Sequence, residues 1–130
     1  MNILPINNNS NTNFNGRILT IGHGWNEKIK NTFVENSEIK KLAENKVDVI
    51  GKLRTRRAKY GDVNHCLNEP LYKFDLMVGK SKSPIINKIA AYLGILPKVK
   101  MIKNYHCEDS FISRLNNRPN AKQLKSRFKI

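Results

Sequence analysis

An α+β domain is the fold class predicted by this sequence, and three observations predict it. The stretches VDVIGKLRTR (47–56) and LYKFDLMVGK (71–80) alternate apolar and polar residues with the period of two expected of half-buried strands. The stretch SPIINKIAAYLG (83–94) carries helix punctuation, with Ser83 at the cap, Pro84 in the first turn and Gly94 past the end. At 130 residues the chain makes one domain, large enough to bury a core without a disulfide or a metal.

Taken in order, the elements begin after an Asn-rich opening. MNILPINNNSNTNFNG (1–16) has no charged residue and seven asparagines, too little apolar surface to offset its ordering entropy, so residues 1–16 read as a flexible leader. RILTIG (17–22) is a β-rich run stopped by a glycine turn that holds His23. Trp25, Ile29 and Phe33 recur every four residues and place a helix through about Glu35. Ser37 is the expected cap of a second short helix carrying Ile39 and Leu42. In the stretch 47–56, Val47, Val49 and Leu53 face one way while Asp48, Lys52, Arg54 and Arg56 face the other. The stretch 71–80 sets Tyr72, Phe74, Leu76 and Val78 on its apolar side, and a polar loop over 59–70 joins the two as an antiparallel hairpin.

The helix at 83–94 gathers Ile85, Ile86, Ile89, Ala90 and Leu93 into one apolar stripe of the kind that faces a core. KVKMIKNYH then puts Val99, Met101 and Tyr105 on one side of a fourth strand. Asp109 or Ser110 is expected to cap a helix with Phe111, Ile112 and Leu115 on one face. The order strand, helix, strand, strand, helix, strand, helix is that of a split βαβ, ferredoxin-like fold with an extra C-terminal helix, occupying 17–116 and followed by a basic tail over 117–130. That arrangement covers one sheet face with helices and leaves the other open.

Charge is the feature that bears most on function. The chain has 24 Lys and Arg against 10 Asp and Glu, a net charge of +14. Between Trp25 and Ile50 five bases balance five acids, whereas from Gly51 onward eighteen bases stand against five acids. Such an excess attracts polyanions: nucleic acid, an anionic membrane surface or an acidic protein. No run approaches the roughly 18 apolar residues of a membrane span, and the start lacks the pattern of an export signal. The expectation is a cytoplasmic protein, with no membrane as partner and with its two cysteines, Cys66 and Cys107, reduced.

Within the basic region, pairing Leu53 with Phe74 would set Arg54 opposite Lys73. Like charges directly opposed are destabilising, and an anion would relieve them. Arginine suits that role because its planar fork grips phosphate oxygens bidentately. The candidate nucleic-acid-binding residues are therefore Lys52, Arg54, Arg56, Arg57, Lys59 and Lys73, joined by Lys122, Lys125, Arg127 and Lys129 of the tail.

Two His-Cys pairs, His65-Cys66 and His106-Cys107, offer zinc-ligand chemistry. Adjacent residues of an extended chain point in opposite directions, however, and structural zinc sites take their ligands from tight knuckles, so no metal is expected. A cysteine nucleophile would need a base and an orienting partner, and no partner can be identified. His23 reads as a turn residue. Nothing matches a phosphate-binding loop, a dinucleotide fingerprint or a hydrolase elbow, and no cofactor is expected.

RILTIGHG and LYKFDLMVGK, with the element order, resemble the first and third strands of RNA-recognition-motif domains over residues 17–106. The resemblance implies an open sheet face that meets single-stranded RNA. Those domains stack bases on exposed aromatics, whereas here Tyr72 and Phe74 share a side with the core residues Leu76 and Val78, and the first strand has no matching aromatic. The functional expectation is a small bacterial or phage-encoded module binding nucleic acid, RNA favoured, through a basic sheet face and tail. The alternatives are an endoribonuclease toxin, drawing on His65, His106, Arg54, Arg56 and Tyr60, and an interaction module docking an acidic protein.

Overall fold

The computed structural model describes residues 16–57, 70–80 and 83–130, and it is a single α+β domain. Among the described residues, nine elements run in the order β1 (Ile18–Ile21), α1 (Glu27–Val34), α2 (Ser37–Ala43), β2 (Val47–Arg57), β3 (Pro70–Lys80), α3 (Pro84–Tyr92), β4 (Lys98–His106), α4 (Glu108–Asn117) and α5 (Ala121–Phe128). Of the expected leader over 1–16 all but Gly16, and of the expected loop over 59–70 all but Pro70, which begins β3, lie outside the described residues.

The four strands form one mixed sheet in the order β1-β2-β3-β4. Strand β1 lies directly against β2 in parallel, Ile18 beside Val49, and α1 with α2 makes the crossover between them. This order does not confirm the split arrangement, in which another strand would stand between β1 and β2. Strands β2 and β3 pair antiparallel in the expected register, Leu53 opposite Phe74 and Arg54 opposite Lys73. Strand β4 pairs antiparallel with β3, with register shifts on either side of Phe74.

Helices α1, α2, α4 and α5 cover one sheet face. Ile29 and Phe33, Ile39 and Leu42, Phe111 and Leu115, and Leu124 meet the inward residues Val49, Leu53, Phe74 and Leu76 in one buried cluster. Each fully buried side chain of this size contributes on the order of 2 kcal/mol through removal from water. Phe33 and Phe74 meet edge to face at 5.4 Å, and Trp25 closes over both at 5.3 and 6.0 Å. Gly51 makes the cluster possible, because a Cβ there would lie 2.8 Å from the Phe74 ring and 2.9 Å from that of Phe33.

Two caps differ from expectation. Asn36, not Ser37, caps α2, its side-chain oxygen accepting from the amides of Glu38 and Ile39 at 3.0 and 3.1 Å. Its amide nitrogen also donates to the Asn116 carbonyl, which ties the cap to α4 and favours Asn over the shorter serine. Cys107, at φ 67°, occupies the cap position of α4, placing Asp109 and Ser110 inside the first turn. The stretch 117–130, set apart by its charge, holds α5, with Ala121 and Leu124 buried.

Helix α3 packs on the opposite sheet face from the other four, so that face is only partly open. The stripe expected to pack is the one exposed: Ile85, Ile86, Ile89 and Leu93 point outward, and Asn87 and Ala91 are buried instead. The reason is a buried carboxylate. Asp48, fully buried, accepts from the Arg17 backbone amide at 3.0 Å, from the Arg17 guanidinium at 3.1 Å and from the Asn87 side chain at 2.6 Å, while Asn87 also donates to the Lys80 carbonyl at 2.7 Å. A buried charge without partners costs far more than an exposed isoleucine, so the helix turns its polar, small-residue side to the sheet. Gly79 permits the close approach, since a Cβ there would stand 3.1 Å from the Asn87 oxygen.

Candidate nucleic-acid interface

The α3-side sheet face divides in two. Ile50, Met77 and Ala91, with Leu19, Ile21 and Leu96 packed against them, form the part beneath α3. Beyond it the alternation of the strands brings Lys52, Arg54 and Arg56 of β2 to the same side as Lys73 and Asp75 of β3. Lys100 of β4 pairs with Asp75 and Lys98 with Met77, which adds two more bases to this side.

Asp75 is the acid on this part of the face among the described residues, and it is 1% exposed. Arg54 approaches it at 3.5 Å, close enough for charge attraction, but neither Asp75 oxygen makes a hydrogen bond among the described residues and neither does the Arg54 Nε. A buried carboxylate held by charge without a hydrogen bond is poorly compensated, and Lys73 also feels its charge. Arg54 is the main cause holding the Lys73 ammonium below its ordinary pKa. Partial burial, Lys100 and Lys98 push the same way, and Asp75 opposes them. Among the described residues, the positive charges here exceed the acids that face them.

Parallel pairing aims the end of β1 at the same place. Ile21 lies beside Lys52, and past the positive-φ Gly22 the turn folds back so that the Gly24 amide donates to the Leu53 carbonyl. His23 on that turn lines a depression of about 320 Å³ with Arg54, Thr55, Arg56, Leu71 and Lys73. Three cationic side chains and an imidazole thus share one shallow hollow of a size that admits a phosphate and part of its sugar.

The remaining candidates are dispersed. Arg57 still belongs to β2, so alternation turns it away from Arg54 and Arg56 instead of extending their patch. Lys52 is half-buried and leans toward α3, its Nζ 5.6 Å from the Tyr92 ring centre, a cation–π contact. Lys59 lies outside the described residues. Lys122 and Lys125 lie on α5 in the other helical layer, lining a hollow with Glu38, Lys41 and Glu44, away from the β2–β3 patch. Arg127 shares another hollow with Lys100 and Arg118, and Lys129 is the left-handed residue that ends α5.

Tyr72 and Phe74 are buried, and Tyr72 stacks on Phe111 at 4.8 Å, so neither is placed to stack a base. Burial accordingly pushes the Tyr72 phenol up. Of the residues considered for catalysis, His65, Cys66 and Tyr60 lie outside the described residues, and His106 is placed by its backbone at the end of β4, opposite Leu71. Cys107 is an exposed thiol whose pKa is lowered, chiefly by the backbone amides of Ser110 and Asp109 at the start of α4. Among the described residues no three His, Cys, Asp or Glu gather as a metal shell requires, and no helix is long and apolar enough to cross a membrane.

Sequence reasoning overlooked Asp75, Lys98 and Lys100, although alternation alone puts Asp75 beside Lys73 and the two lysines opposite Val99. Only the parallel pairing of β1 brings His23 to Arg54. No protein-family model, curated protein or solved structure matches this chain.

Proposed function

We propose that the protein binds nucleic acid, RNA favoured, in the cytoplasm, through the basic part of its α3-side sheet face. The observation that carries this reading is the direct opposition of Arg54 and Lys73 in the β2–β3 register, with Arg56, Lys98 and Lys100 nearby and one buried carboxylate among them. A sheet keeps such an arrangement at a cost, and a phosphodiester backbone removes that cost. Phosphate contacts supply most of the affinity, and the two arginines act as bidentate clamps. RNA is favoured because single strands can lie along an exposed sheet surface.

The hollow favours one second reading, an endoribonuclease. Cleavage of RNA through its 2′-hydroxyl needs a base to take that proton, an acid to protonate the departing 5′-oxygen and cations to hold the phosphate. Among the described residues, His23 and Lys73 are proton-exchanging groups that line the hollow, and Arg54 with Arg56 would be the clamp.

The test is Arg54→Gln combined with Arg56→Gln, read by anisotropy of a labelled single-stranded RNA across a salt series. The expected result is an intact fold, weaker binding to every sequence and a salt slope shallower by roughly 0.7 to 0.9 for each phosphate the variant no longer neutralises. Unchanged affinity and slope would exclude this face, and absence of binding by the unmutated protein at moderate salt would leave docking of an acidic protein. Shortened RNA in the same samples, abolished by His23→Ala, would establish the second reading.

A further inference from the structure

Among the described residues, most of the exposed large hydrophobic side chains gather on the outward face of α3 and just past its end. Ile85, Ile86, Ile89, Tyr92 and Leu93 are between 54% and 70% exposed, and Ile95 just past the helix is 70% exposed. Together these six side chains present on the order of 700 Å², which exceeds the largest apolar patch of most monomers and is close to the roughly 800 Å² each partner contributes to a standard interface. An apolar groove adjoins the ridge, lined by Ile86, Ala90, Ile95, Leu96, Pro97 and Phe128 among others, so convex and concave apolar surfaces lie side by side.

The pattern along the helix indicates what covers it. About Ile89 the ridge is symmetric: Ile86 and Tyr92 stand three residues to either side, and Ile85 and Leu93 stand four. Residues three and four apart share a helix face, so this set is self-complementary when a second helix runs antiparallel across it. A twofold axis beside Ile89 would set Ile86 against Tyr92 of the second copy and Ile85 against Leu93, as an isologous interface requires. An acidic partner would call for cations on the ridge, and α3 carries only Lys88, beside the stripe.

From this symmetry and area we infer that the protein forms a homodimer through α3. Lys88 and the neighbouring Lys52 bring like charge to the rim, and each copy carries +14. Association is therefore opposed at low ionic strength and strengthened by salt, which is the opposite of the salt response of nucleic-acid binding. The inference stands apart from the proposed function, since the ridge and the basic hollow share no residue.

Sedimentation equilibrium of nuclease-treated full-length protein, at about 0.1 and 0.5 M salt, tests it directly. A monomer–dimer equilibrium is expected, with more dimer at the higher salt. Ile89→Asn should weaken it at least about tenfold while leaving circular dichroism unchanged, because the side chain is already exposed in each copy. In a Cys66→Ser, Cys107→Ser background, Ile89→Cys should oxidise to a covalent dimer across the axis. A protein that stays monomeric at about 100 μM at both salt concentrations overturns the inference. So does an Ile89→Asn variant that dimerises like the parent, or a monomer that binds phosphatidylglycerol vesicles through Ile89.

Discussion

Arg54 and Lys73 face each other across two strands, and the consequence is written in Lys73's proton affinity. Arg54 is the main reason the ammonium gives up its proton more readily than usual, so Arg54→Gln should raise the Lys73 pKa back toward its ordinary value of 10.5. An NMR titration of the lysine side-chain carbons measures this directly. The sign for stability follows from linkage. Over the window between the lowered folded value and the unfolded one, the unfolded chain binds more protons, so stability rises with pH there; the variant should flatten that rise. A Lys73 titration unmoved by Arg54→Gln would mean that the two charges do not face each other in solution. Both residues are legible in the sequence, because period-two alternation and hairpin register need only local pattern. Asp75 follows from the same alternation, but a single acid within a basic run carries no signal of its own.

Helix α3 shows the limit of pattern reading at the scale of an element. Its boundaries follow from Pro84 and Gly94, as expected, but the face it buries does not follow from its apolar stripe. The partners of Asp48 decide that face, and they lie 31 and 39 residues away in sequence. Asn87→Ala should therefore cost about 1–3 kcal/mol, since it strips a hydrogen bond from a buried carboxylate and another from the Lys80 carbonyl. Ile85→Ser on the same helix should cost no more than about 0.5 kcal/mol in dilute protein, as an exposed substitution does. Urea unfolding of the two variants compares them. A greater loss from Ile85→Ser than from Asn87→Ala would show that the helix packs by its isoleucines after all.

For the whole molecule, the placement of charge matters more than its total. Four helices cover one sheet face and α3 half-covers the other, which leaves a basic strip where three strands contribute and where the β1 turn delivers His23. A polyanion that binds this folded surface and not the unfolded chain stabilises by mass action, about 2.7 kcal/mol at a hundred times its dissociation constant. Single-stranded RNA at low salt should accordingly raise the melting temperature by several degrees, and about 0.5 M salt should abolish the gain. A gain that survives high salt, or no gain at low salt, would contradict an interface made of phosphate contacts. By itself the sequence determined the α+β class, the bounds of most elements, the β2–β3 register and the side on which Arg54 and Arg56 stand, because each depends on periodicity or on residues close along the chain. The tertiary structure alone decided the β1–β2 neighbourhood, the reversal of α3, the dispersal of the C-terminal bases and the arrival of His23 beside Arg54. Those depend on which strand a crossover sets beside which, and on how a buried carboxylate finds its partners, and neither leaves a periodic trace in the chain.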